Sequence, residues 1–314
     1  MESALSPAPS APAPAAAKPL PKALGPDSLA WQHAGDNLQL LMAGTTLVLQ
    51  VAHPVVGAGV GDHSVFKKDP WGRLKRTTEW GLRLLYGGPV KAPIAGQALR
   101  DMHRNIKGQD DKGRRYFALD PEAYTWVHMT SYYAMVITQK YFAARPFTAM
   151  EEIQLYEEWL QQGRILGIRD ADMPADVGAF WEYFDNMVRN RLEDTDTARY
   201  LLDISLSKVK KPPQLKLLPT VIWDAAYAAG GNFAKLACYA TMPEALREKY
   251  GVVWDEKAQK RFRRMQRVVR ASLPLLPDKI RYMLPAYEAL KGIPPHYERA
   301  QNERAGHERN NLAA

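Results

Sequence analysis

The residues Asp120-Pro-Glu-Ala-Tyr-Thr-Trp-Val-His-Met-Thr-Ser-Tyr-Tyr-Ala-Met135, continuing to about Ala144 where Arg145-Pro146 closes it, read as one long buried helix. Asp120 offers an N-cap acceptor, and Pro121 takes the first helical position, where a missing N–H costs nothing. From Ala123 to Gln139 no side chain carries a fixed charge. Such a helix is apolar nearly all round and belongs inside an all-α body. His128 lies at its middle, with Tyr124, Tyr132 and Met135 at i−4, i+4 and i+7 on the same face. Two roles are compatible with that setting. One is a core imidazole satisfied by ordinary hydrogen bonds, the commoner fate of a buried histidine. The other is an axial ligand to the iron of a flat, apolar cofactor such as haem.

Just upstream, Gln97–Gly108 reads as a second helix with Gly108 as its C′ stop. Arg100 and His103, spaced i, i+3, project from one side, while Ala95, Leu99, Met102 and Ile106 mark the packed side. Arg100 could pair with a cofactor carboxylate such as a propionate, and His103 could stand near the open side of a metal. The plainer alternative for both is a solvated polar face.

Length and composition allow one large domain with ample core: 314 residues, 46% apolar and 24% charged. We read residues 1–26, rich in Ala and Pro, as a disordered leader, 27–295 as a helical domain, and 296–314 as a polar tail. Glu2 precedes any Lys or Arg and no apolar segment follows before Lys18, so no secretory signal is expected and the expected location is cytoplasmic. Cys238 is the sole cysteine, which excludes a disulfide framework and a Cys-based zinc site within one chain. A His-Glu-x-x-His motif, a Gly-rich phosphate loop, a nucleophile elbow and a di-metal Glu-x-x-His pair are all missing.

The charge-free run between Asp36 and Asp62 suggests a buried helix that ends or kinks at His53-Pro54 rather than a membrane span. His53 and His63, next to Pro54 and Asp62, fit helix-end roles better than ligand roles. Asp69-Pro70 opens a helix to about Tyr86, closed by Gly87-Gly88. Arg115 to Ala118 suits a hairpin arm. Thr148 with Glu151 makes a capping box for a helix whose buried stripe is Ile153, Tyr156, Trp159 and Leu160. Phe180, Phe184, Met187, Val188 and Leu192 give the next apolar stripe, and a helix from about Asp196 to Ser207 leads to an interior linker, Lys208–Pro213. Separate helices at about 219–229, 232–240 and 243–250 follow. Lys257–Arg270 holds seven Lys or Arg and no acid, around an apolar stripe of Ala258, Phe262, Met265 and Val269. With a net charge of +8 and a pI near 9.4, this helix permits peripheral contact with an anionic membrane. No module for nucleic acid accompanies it, and none is expected as a partner.

Four motifs, in order, resemble the MpaB/rubber-oxygenase catalytic-domain family. They are Ala52-His-Pro-Val-Val-Gly-Ala-Gly-Val-Gly-Asp-His-Ser64 with Asp69-Pro-Trp-Gly-Arg-Leu-Lys-Arg-Thr77, then Arg100-x-x-His103-x-x-Ile106-x-Gly108, then Tyr116-x-Ala118 with Asp120-Pro-Glu, and finally Trp126-Val-His128. The resemblance covers about residues 30–290. It implies a globin-like helical core holding haem b, and an oxidoreductase that adds O₂ across an isoprenoid C=C bond. It also implies His128 as the proximal iron ligand, with Arg100, His103 and Arg104 standing where the rubber oxygenases carry Arg-x-x-Lys-Thr. His103 in place of Lys would then be a candidate sixth ligand, and Tyr124, Tyr132 and Met135 would wall the cofactor. Without an export signal, a smaller prenyl or lipid-like alkene is a better expected substrate than a polymer. The competing class is a non-enzymatic haem- or lipid-binding protein, or a basic module docking on anionic surfaces.

Overall fold

The computed structural model describes residues 22–204 and 217–293. Residues 1–21 of the expected leader, the expected linker Lys208–Pro213 and the expected tail 296–314 lie outside the described residues. Within them the chain is all-α apart from one two-stranded hairpin.

Helix α1 is Leu29–His33, and a 3₁₀ segment Asn37–Met42 leads into α2, Ala43–Val51. The chain then bends by 104° and restarts as α3, Pro54–His63. The bend falls at His53-Pro54, where proline removes a helical donor and clashes with the preceding turn. The long apolar run is therefore divided among three segments, and among the described residues no single helix is long and apolar enough to cross a membrane. Next, α4 is Pro70–Tyr86, its first turn capped by the Asp69 carboxylate accepting from Gly72 N–H at 2.9 Å.

Helix α5 is Gly88–His103, not Gln97–Gly108. Gly88, at φ +65°, turns the chain, and Pro89 starts the new helix nine residues earlier than expected. Gly108 is no helix stop. It lies in β1, Lys107–Gln109, which pairs antiparallel with β2, Arg115–Phe117, in the register Gly108↔Tyr116. A Cβ at residue 108 would sit 2.6 Å from the Tyr116 hydroxyl, so the glycine is needed for packing across the hairpin.

Helix α6, Pro121–Phe142, is the buried axis of the molecule. Trp126, Met129, Tyr132, Tyr133 and Met135 all enter the core. Across it lies α7, Ala149–Ile165, with both halves of the Thr148/Glu151 capping box formed. Its buried stripe is Leu155, Tyr156 and Trp159, whereas Ile153 is 44% exposed, a correction to the expected stripe. Phe180 and Phe184 of α8, Val177–Asn186, stack into the same core, followed by a π-turn at Met187–Arg191. Then come α9, Asp196–Ile204, and α10, Thr220–Thr241. The last runs unbroken through Gly230-Gly231, where a break was expected. A helical glycine costs only about 1 kcal/mol. Helix α11 is Glu244–Lys249, with Gly251 at φ +65° after it.

The basic helix is α12, Glu256–Ser272. It buries Phe262 and Met265 on the body. Gln266 donates to the Tyr141 carbonyl and Arg270 to that of Lys140. Its charged side is a solvated face, the usual role of such residues.

Candidate functional site

The His128 face of α6 meets α7. Tyr132 packs edge-on to Tyr156 and Phe180, with ring centroids 5.0 and 4.6 Å away. His128 lies nearly parallel to the Trp159 indole, 5.5 Å between centroids and 11° between planes. Its Nε2–H donates to the Trp159 carbonyl at 3.0 Å. Burial pushes the imidazole's pKa down to about 4, so the ring is neutral at pH 7. A Cβ at Gly163 would lie 3.1 Å from Nε2 and 2.4 Å from the Met173 sulfur, so this edge of the ring is closed.

In this packing His128 takes the first of the two roles left open for it, a core imidazole satisfied by a backbone carbonyl. The nitrogen is committed to a backbone carbonyl and one ring face is covered by indole, so haem does not fit at His128 as it is packed here. Among the described residues no group of three or more His, Cys, Asp or Glu is placed to hold a metal ion.

Arg100, His103 and Tyr124 do come together. The Arg100 guanidinium lies over Gly167, where a Cβ would be 2.0 Å away, and φ there is +76°. His103 Nδ1–H donates to the Leu99 carbonyl at 2.7 Å, and its ring stands 6.2 Å from that of Tyr124. The Tyr124 hydroxyl is buried with no hydrogen-bond partner, and burial raises its pKa to about 12. Arg104 instead faces solvent in an ion pair with Asp101, 2.7 Å. Met102, expected on the packed side, is 49% exposed, because α5 turns that side of its last turn outward.

A second group of polar residues surrounds α3 and the hairpin, and residue spacing alone did not assemble it. Tyr116 donates its O–H to Asp62 at 2.6 Å, and His63 Nε2 lies 3.2 Å from the same hydroxyl. Burial, with Asp62 adding, raises the Tyr116 pKa to about 12, so the phenol keeps its proton at neutral pH. His53, 1% exposed, donates Nε2–H to Glu122 at 3.2 Å, and Glu122 is held by Arg191 at 2.5 Å. Burial lowers the pKa of His53 despite that carboxylate, and its Nδ1 is a buried acceptor without a partner. Burial would raise the Glu122 pKa, but the hydrogen bonds from Arg191 and His53 hold it below the ordinary range.

Beside this group runs a groove of about 590 Å³, lined by Val55, Lys107, Gln109, Arg115, Tyr116, Phe117 and Asp120 among others. The hairpin register puts Lys107, Gln109, Arg115 and Phe117 on its outer face. Of the hairpin cations, Lys112 and Arg114 are paired with Glu193. Lys107 and Arg115 have no acidic partner among the described residues. The residues stood in the sequence as His53, His63, Tyr116 and Asp120-Pro-Glu, but only the fold pairs His63 with Tyr116 at one end of α3 and His53 with Glu122 at the other.

Comparison with known families returns one result. A family model described as "ER-bound oxygenase mpaB/B'/Rubber oxygenase, catalytic domain" matches residues 31–271. No curated protein and no solved structure matches the chain.

Proposed function

Because the chain belongs to the mpaB/rubber oxygenase catalytic-domain family, we propose that it is an oxygenase using O₂ on an apolar alkene, a prenyl, isoprenoid or lipid-like molecule. The observation that carries this reading is the convergence of motif residues. Val55 from the first motif, Tyr116 from the third and Asp120 of Asp120-Pro line one groove, with His63 hydrogen-bonded to Tyr116 and the His53–Glu122 pair at the other end of α3. Val55 and Phe117 supply apolar wall for a hydrocarbon, and Tyr116 supplies a fixed phenol. Tyr116 keeps its proton, donates it in the hydrogen bond to Asp62 and does not act as a base.

Haem b is the cofactor that the resemblance implies. When bound it would supply the activation of O₂, while the residues named above would bind and orient the alkene; it is not assigned to His128. The test is O₂ uptake by the purified protein with squalene as probe alkene, with and without added haem b, alongside mass analysis for carbonyl fragments. Uptake that matches carbonyl formation supports the reading. Phe117→Ala, which removes apolar wall, and Tyr116→Phe are expected to lower the rate about 10-fold or more through lost positioning. No uptake under any of these conditions, from protein that is folded, overturns it.

A further inference from the structure

Among the described residues, the first half of α10 carries exposed apolar side chains. From Thr220 to Phe233 the only charged residue is Asp224, yet Val221 is 80% exposed and Ile222 54%, next to Leu217 at 90%. Burial on this helix begins only near Ala237. Trp223 meets Trp71 of α4 edge-on, with centroids 6.1 Å apart. That contact joins the start of α10 to the exposed Val65, Trp71 and Leu74. An apolar patch of this kind on a water-soluble body marks a surface that meets something else.

The rim identifies the partner. Residues 65–83 carry six Lys or Arg against Asp69 and Glu79. Arg76 is paired with Asp69 and Lys75 with Glu79. Lys67 and Lys68 are exposed and form no ion pair among the described residues, Lys67 lying over the Phe66 and Tyr200 rings. Aliphatic side chains with a tryptophan pair, ringed by cations, suit the boundary between headgroups and acyl chains of an anionic bilayer. We propose that this Trp71–Trp223 tip is a peripheral docking surface for anionic lipid bilayers. The inference does not depend on the oxygenase reading or on any cofactor.

Flotation with phosphatidylcholine vesicles, with and without phosphatidylserine, tests it on the full chain. The protein is expected to float with serine-containing vesicles and to be released by salt. Val221→Glu/Ile222→Glu, at exposed positions that leave the core untouched, should abolish binding. Each of Lys67→Glu and Lys68→Glu should weaken it by about five-fold or more. Brominated lipids should quench tryptophan fluorescence less in Trp71→Phe than in the parent. Three results would overturn the proposal. One is no flotation with folded protein, and another is flotation indifferent to Val221→Glu/Ile222→Glu but lost on reversing Arg263 and Arg267 of α12. The third is sedimentation showing that the tip joins two copies of the chain instead.

Discussion

His128 and Trp159 hold each other twice. The imidazole Nε2–H donates to the Trp159 carbonyl at 3.0 Å, and the indole Nε1–H donates to the His128 carbonyl at 3.1 Å. With the rings stacked between them, the pair clamps α6 to α7. This makes His128 a structural residue. His128→Ala should destabilise the fold by about 2–4 kcal/mol in urea unfolding, through lost packing and an unmet carbonyl. Trp159→Phe, which keeps a ring but loses the donor, should cost about 1 kcal/mol. Titrating haem b into the parent should give no Soret band that His128→Ala lacks. Such a band would restore the histidine as a ligand.

The same ring predicts a pH dependence. Its pKa in the fold is about 4, below the ordinary value of 6.5, because burial penalises the charged form. The stability tied to the neutral ring is therefore full above about pH 6.5 and is lost as pH falls toward 4. The loss is on the order of 3 kcal/mol once both states are protonated. His53 shifts in the same direction and adds to the trend. The melting temperature should fall across this window, and His128→Gln should flatten the slope.

Gly163→Ala tests how tightly that corner is packed. Its Cβ would meet the Met173 sulfur at 2.4 Å, so a cost of about 1–3 kcal/mol is expected. Gly81→Ala in α4 is the control. Nothing lies within 4 Å of its Cβ, and the exchange should be neutral or stabilising by about 0.5–1 kcal/mol.

Glu122 joins His53 to Arg191 across the start of α6. Glu122→Ala strands the buried His53 Nε2–H and should cost about 1–3 kcal/mol. Arg191→Ala removes an exposed ion pair and should cost well under 1 kcal/mol by thermal unfolding.

Much of this molecule could be read from local chemistry. Asp120-Pro121, Asp69-Pro70 and the Thr148/Glu151 box act within one turn, and each helix starts where those residues stand. The kink at His53-Pro54 follows from proline alone. Boundaries that depend on distant packing were misread. Gly108 looked like a helix stop, but Tyr116 across the hairpin decides its role. Gly230-Gly231 looked like a break, and the helix continues. For the site, spacing put Arg100 and His103 on one side of α5, and only the fold brings Tyr124 of α6 to them. It could not show that His128 spends its Nε2–H on Trp159, thirty-one residues away in sequence. Nor could it bring His63 and Asp62 to Tyr116, since those contacts span more than fifty residues.

The central claim, that this chain uses O₂ to oxygenate an apolar alkene, is tested most directly with isotopically labelled O₂. Squalene turned over by the purified protein should yield carbonyl products carrying the label, and Phe117→Ala/Tyr116→Phe should form them at a small fraction of the parent rate. Unlabelled products, or none from folded protein with and without haem b, would contradict it.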